Sequence, residues 1–397
     1  MKNFKRFFLL LRKSQLTGFF AFIVLCACQP QPADSDKILM QQAQTDASAA
    51  FSLAGRRLAA AEYQSALHWF RQAAVLGNTG ALEHALQLQQ RLEGKLATAM
   101  WLQQQTDTTL PVAGLSASRL ASLGLWQLAG ESATSSAYHS TEGCAVTLQP
   151  VAVYAQGVAN WEVLLQQWQA DPQLSRLPVC YLPLQTVEST ELVCTEVSGQ
   201  RIRCQYQVLN ELVARGNFSQ LVVIAGNGIA SYNNGIIQLP EQAGLSLLRH
   251  EFMHVLGFID EYPLPAYVAA DVCSESIIRP NLIMGTAPEV LERYLSYWQL
   301  QENQIMLTAV DTCDTQNIQA YRVVAETNLM RFYETPLPSL YFELMQKVLL
   351  KPQQIMPVQY YFAYLARQRQ DWNAWQQFMQ HAAEQGYADA ERALARE

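Results

Sequence analysis

One stretch constrains this chain more than any other: Leu245-Ser-Leu-Leu-Arg-His250-Glu251-Phe-Met-His254-Val-Leu-Gly257-Phe-Ile-Asp260-Glu-Tyr262. Residues four apart share one face of an α-helix, so His250 and His254 can point two imidazoles at one metal ion. Glu251, beside the first histidine, can take a proton from a water held there. Gly257 allows the backbone to leave the helix and turn back. Asp260 then supplies a third donor and leaves a fourth position open. The spacing predicts a hydrolytic zinc site. A His-Glu-x-x-His pattern alone also occurs on solvated helix faces, and the glycine and aspartate at fixed offsets lift this one above coincidence.

The same stretch resembles the metzincin clan of zinc metallopeptidases, whose extended motif has this spacing and usually ends on a third histidine. Asp260 in that place resembles the snapalysin family, and Asp260-Glu261-Tyr262 is similar to the ending in bacterial IgA-type metallopeptidases. The resemblance implies that His250, His254 and Asp260 bind Zn2+, that Glu251 is the general base, and that the substrate is a protein or peptide. It also implies a methionine on a tight turn beneath the metal, and Met284 in Asn281-Leu-Ile-Met284-Gly285 fits that place. Two residues depart from the clan: Met253 stands where glycine is common, and no tyrosine follows Met284 at two residues. An edge strand above the metal binds substrate as an added strand in this clan, and Gly228-Ile229-Ala230, running on into Ser231-Tyr232, is the segment expected there. Asn233-Asn234-Gly235 just after it is a hairpin-turn signal. Tyr262, Tyr267 and Tyr294 are candidates to stabilise an oxyanion. The resemblance covers residues 144–315.

The N-terminus carries Lys2, Lys5, Arg6, Arg12 and Lys13, then an apolar run from Leu16 to Ala27. Such a segment reads as a secretory signal, being too short to span a membrane and ending in small residues. Leu25-Cys26-Ala27-Cys28 resembles a bacterial lipobox, which implies a lipid on Cys28 and a membrane anchor. Gln29 after it implies the outer membrane. Removing residues 1–27 leaves 22 basic against 34 acidic residues, a net charge of about −12. That balance argues against nucleic acid as a partner, which would need a basic patch. Six further cysteines, at 144, 180, 194, 204, 273 and 313, are an even number suited to an oxidising compartment. Six allow fifteen pairings. Cys194 with Cys204 would close a short hairpin, Cys273 with Cys313 would bracket Met284, and Cys144 with Cys180 would remain.

Half of the 397 residues are hydrophobic and 15% are charged, enough for a packed core and more than one domain. Residues 28–44 read as a Gln- and Pro-rich linker, 45–130 as a helical domain, 144–315 as the zinc domain and 316–397 as a C-terminal helical region. Strand, helix, strand and further strands precede the zinc helix, so the expected fold is α/β (α+β), metzincin-like, with flanking all-α helical-repeat segments. Tyr63 to Asn78 and Asp371 to Ala390 each resemble one unit of tetratricopeptide-like repeats of the Sel type, aligning Gly77 with Gly386. These repeats imply either one helical platform or two separate caps, and a possible surface for a protein partner. The function expected is a zinc-dependent endopeptidase anchored as an outer-membrane lipoprotein. Its rivals are a protein-interaction lipoprotein with a structural or degenerate zinc site, and a zinc hydrolase acting on a non-peptide substrate.

Overall fold

Alanine-rich helices with one apolar face must bury that face, and the described chain begins with them. A computed structural model describes residues 33–105, 114–130, 135–274 and 276–396. The expected signal segment and Cys28 lie outside the described residues. Helices α1 (Ala33–Gln42), α2 (Ala47–Ala59), α3 (Tyr63–Val75) and α4 (Thr79–Gln104) open the fold. Leu53 and Ala54 of α2 meet Leu67, Phe70, Ala73 and Ala74 of α3 in a core that α4 completes with Leu82 and Leu86. Asp46 and Asn78 cap α2 and α4 by accepting from the Ala49 and Ala81 amides. The expected linker over 28–44 is corrected here: from Ala33 it is helical, because Leu39 and Ala43 pack onto this core. Two short helices follow, α5 (Ala117–Ser122) and α6 (Trp126–Ala129).

The sheet follows. Its elements are β1 (Val146–Ala152), α7 (Ala155–Ala170), β2 (Val179–Tyr181), β3 (Gln185–Thr186), α8 (Ser189–Leu192), α9 (Asn210–Arg215), β4 (Gln220–Ala225), β5 (Ser231–Asn233) and β6 (Ile236–Pro240). The strand order is β2-β1-β4-β6-β5, with β3 also on β1. Every pairing is parallel except that of β5 with β6. Successive residues of a strand point to opposite faces, and here both faces are apolar. Leu148, Ala152, Val222, Ile224, Ile237 and Leu239 face α7 and the zinc-motif helix. Val151, Val153, Leu221, Val223, Ala225 and Ile236 face the other side. A strand covered on both faces reads as an unbroken apolar run, as β4 does.

The motif helix α10 (Leu245–Val255) starts after Gly244. Ahead of it Pro240 ends β6 opposite Ala225, and Glu241 pairs with Lys95 of α4 at 2.6 Å. Phe252 of α10 meets Trp168 of α7 at 5.4 Å between ring centres. Beyond lie α11 (Ala266–Val272), β7 (Leu282–Met284), α12 (Pro288–Trp298), β8 (Thr308–Val310) and β9 (Ala320–Arg322). The three strands form a small antiparallel sheet in the order β7-β9-β8. Helix α12 stops at Trp298, where Gln299 turns left-handed.

Helices α13 (Ser339–Leu349), α14 (Val358–Gln368), α15 (Trp372–Glu384) and α16 (Ala388–Leu394) end the described chain. The region 316–397, expected to stand beside the zinc domain, packs into it. Tyr341, Leu344 and Met345 of α13 join the core on the α10 side, while Phe362, Trp375 and Phe378 of α14 and α15 cover the opposite face of the sheet. The two repeat-like segments therefore sit in different cores, as two separate caps. Three disulfides, Cys144–Cys180, Cys194–Cys204 and Cys273–Cys313, close the structure. The segment around Cys194–Cys204 is not the regular hairpin expected. Thr195 N donates to Arg203 O at 2.8 Å, but residues 200–202 turn outward and pair with Ile229.

Candidate metal centre

The helix brings His250 and His254 side by side, and Gly257, left-handed at φ 80°, returns the chain so that Asp260 faces both. His250 Nε2 and His254 Nε2 each lie 3.3 Å from Asp260 Oδ1, and the two nitrogens are 3.3 Å apart. Equal separations of 3.3 Å form one face of a tetrahedron whose centre is about 2.0 Å from each corner, the bond length zinc takes to nitrogen and oxygen.

The remaining ring nitrogens say which atoms carry protons. His250 Nδ1 lies 2.8 Å from Leu329 O, and His254 Nδ1 lies 2.9 Å from Phe258 O. A carbonyl oxygen only accepts, so both Nδ1 atoms donate, and Nε2 is the atom that turns a lone pair inward when the ring is neutral. Asp260 Oδ1 is buried with no hydrogen-bond donor, while its other oxygen accepts from Tyr262 at 2.7 Å. Three acceptors at this range repel unless positive charge lies between them. A proton can play that part: burial disfavours charged His254, but the Asp260 carboxylate overrides it and pushes the pKa up to about 9. Asp260 itself is held well below the usual carboxylate range, with His254 and His250 outweighing its burial. A divalent cation satisfies all three donors at once, so the residues fit zinc.

Glu251 is buried on the same helix and lines the cleft above the donors, a space of about 430 Å³. Burial raises its pKa, partly offset by the two histidines.

The chain around Asp260 is held from several directions. Asn281 donates to Ile259 O at 2.7 Å and accepts from Ile259 N at 2.9 Å. Glu261, fully buried, accepts from Asn281 at 3.1 Å, Asn328 at 2.8 Å and Tyr341 at 2.5 Å. Thr312 Oγ1 donates to Asp260 O at 3.0 Å. Sequence reasoning missed Asn281, Asn328, Tyr341 and the Leu329 carbonyl as supports. Only the Asp260-Glu261-Tyr262 triplet carried a signal, since a buried acid beside a ligand needs partners, and those partners come from distant positions.

Other expected residues are placed as follows. Met284 ends β7, ahead of left-handed Gly285, and packs with Cys313, whose Sγ is 3.6 Å from its Sδ, in a small core that touches Ile259 and Tyr262. It does not line the cleft. Ile229 already spends both backbone groups, donating to Gln200 O at 2.7 Å and accepting from Ile202 N at 3.1 Å. The free edge is therefore β5, which takes in Ser231 and Tyr232 of the expected segment 228–232 and leaves out Gly228, Ile229 and Ala230, of which Ala230 lines the cleft. Asn234 and Gly235, at φ 50° and 84°, make the two-residue turn from β5 to β6. Such a turn makes Asn233 and Ile236 the hydrogen-bonded pair, so the main-chain N–H and C=O of Tyr232 face away from β6, over the cleft. Tyr294 is buried, with its hydroxyl on Pro280 O at 2.5 Å, and Tyr267 is exposed outside the cleft. Tyr262 lines the cleft. His139 lies near Cys144 and Cys180, but a disulfide has no thiolate to offer a metal.

No family model matches the sequence, and no curated protein matches it.

Proposed function

We propose that this chain is a zinc-dependent metallopeptidase of the metzincin kind, carried on the cell envelope by a lipid on Cys28. The observation that carries the reading is the triangle of His250 Nε2, His254 Nε2 and Asp260 Oδ1, with 3.3 Å sides and both Nδ1 atoms committed to carbonyls. These three residues would hold zinc. A zinc ion there supplies Lewis acidity and lowers the pKa of water toward neutrality. Glu251, buried and lining the cleft, takes the proton of the attacking water and returns it to the leaving amine. Tyr232 offers a main-chain donor and acceptor to a peptide laid along β5, which fixes the scissile carbonyl over Glu251. The hydroxyl of Tyr262 is bound to Asp260 and orients that carboxylate.

Glu251→Gln tests the reading. Zinc content, measured by elemental analysis, should stay near one per chain while cleavage of a peptide library falls by about a hundredfold to ten-thousandfold. His254→Ala should lose the zinc. A Glu251→Gln protein that cuts as fast as the wild type would sink the mechanism, and a wild type with zinc but no cleavage would favour a structural site. For the anchor, Cys28→Ala should abolish incorporation of labelled fatty acid while Cys26→Ala should not. Label retained in the Cys28 variant would exclude lipidation there.

A further inference from the structure

The cleft over the metal centre does not end at the metal. On the Asn234 side it opens past Gly257 and Arg279 into a second space of about 360 Å³. On the Ser231 side it continues past Arg201 into a third, of about 850 Å³. The three spaces share Tyr232, so together they make one groove along the free edge of β5.

The charges in this groove run against those of the chain. The protein carries a net charge of −7. Yet the groove is lined by Arg201, Arg203, Arg279 and Arg369, and outside the metal centre Asp271 is its one acidic lining residue among the described residues. Elsewhere Arg57, Arg119 and Arg331 are paired with carboxylates, and Arg249 and Arg322 donate to main-chain carbonyls. Among the described residues, none of the four groove arginines forms an ion pair. Arg279 is the most telling. It is half-buried, its Nε is enclosed without a hydrogen-bond partner, and burial alone lowers its pKa, with no carboxylate to offset it. Leaving a buried charged donor unsatisfied is costly, so a carboxylate arriving from outside would gain more here than at a solvated arginine. Arg201 is exposed at the opposite end of the metal cleft.

We propose that the groove selects peptides with acidic side chains flanking the bond held at the metal centre, with Arg279 gripping one carboxylate and Arg201 a second on the other side. This rests on the peptidase reading. Planar guanidinium groups bind carboxylates through two parallel hydrogen bonds, which gives direction as well as charge. The carboxylate must come from the substrate, because the chain supplies none at Arg279.

The test uses the full chain carrying Glu251→Gln, loaded with zinc, so that binding is read without cleavage. Fluorescent peptides with Glu, Gln or Lys at successive positions are titrated by anisotropy. Glu peptides should bind about tenfold or more tighter than Gln peptides at one position on each side, and the preference should shrink with added salt. Arg279→Gln should collapse the ratio at one of those positions, and Arg201→Glu, an exposed substitution, should invert it at the other. Equal affinity for Glu and Gln peptides, or a ratio that survives both substitutions, would overturn the proposal. Cleavage by the wild type without acidic preference removes this inference and leaves the peptidase reading standing. Arginine-dependent binding of acidic peptides that the wild type never cuts does the reverse.

Discussion

Glu261 shows how one buried carboxylate can set the position of a neighbouring candidate ligand, Asp260. Its two oxygens accept from Asn281, Asn328 and Tyr341, and neither amide in this arrangement can reverse. Asn281 cannot turn its amide, because its oxygen is engaged by Ile259 N, and Asn328 cannot, because its oxygen is engaged by Met330 N. Glu261→Gln would therefore point an amide N–H at another donor, wherever it settles. The loss of a charge-assisted bond and the donor–donor clash together should cost about 2–4 kcal/mol. Denaturant unfolding should report that loss, and competition with a chelator should report weaker zinc binding, since Asp260 is the next residue along. Unchanged stability and unchanged zinc affinity would mean that Glu261 does not hold the ligand in place.

At the scale of the element, the small β7-β9-β8 sheet and α11 form a layer behind the metal centre, with a core of only a few apolar residues. Cys273 at the end of α11 and Cys313 after β8 are joined across 40 residues, and the bond sits in that core against Met284. A small core supports little structure by itself, so the crosslink matters more there. Closing a loop of 40 residues removes chain entropy worth about 4 kcal/mol. Replacing both cysteines by alanine should lower the unfolding free energy by up to about that amount. It should also speed zinc release, because Ile259 and Tyr262 pack on this core. A shift below about 1 kcal/mol with unchanged zinc release would show the layer to be held by packing alone.

For the whole molecule, the decisive contact is between the C-terminal helices and the sheet. One face of β4 is covered by Phe362, Phe378 and their neighbours. Ending the chain at Met356 would bare that face. Each large apolar side chain removed forfeits about 1.5–3 kcal/mol of burial, and several such losses exceed the about 5–15 kcal/mol margin of a typical fold. The shortened chain should lose cooperative unfolding and bind hydrophobic dyes. Cooperative unfolding with zinc retained would make residues 357–397 a dispensable cap. At the other end, Lys95 of α4 reaches Glu241, just before α10, and Trp126 donates to Val153 O at 2.8 Å. The N-terminal helices are thus tied to both the sheet and the approach to the motif helix.

The sequence alone determined what is local. His250 and His254 share a helix face because the helical repeat dictates it, Gly257 turns where a left-handed residue is needed, and β4 reads as a buried strand from its apolar run. The three disulfides of the structure, too, are among the pairings six spaced cysteines permit. Tertiary structure decided everything that depends on partners far along the chain. Asn281, Asn328, Tyr341 and Leu329 carry no motif, and their role exists only because three separate segments converge on residues 259–261 and on His250. Of the expected segment 228–232, only Ser231 and Tyr232 lie on the free edge, because residues 200–202 took the hydrogen bonds of Ile229. The repeat-like segments became two caps because each apolar helix face buries against whatever surface the sheet leaves open, and helical periodicity names the face without naming what it meets.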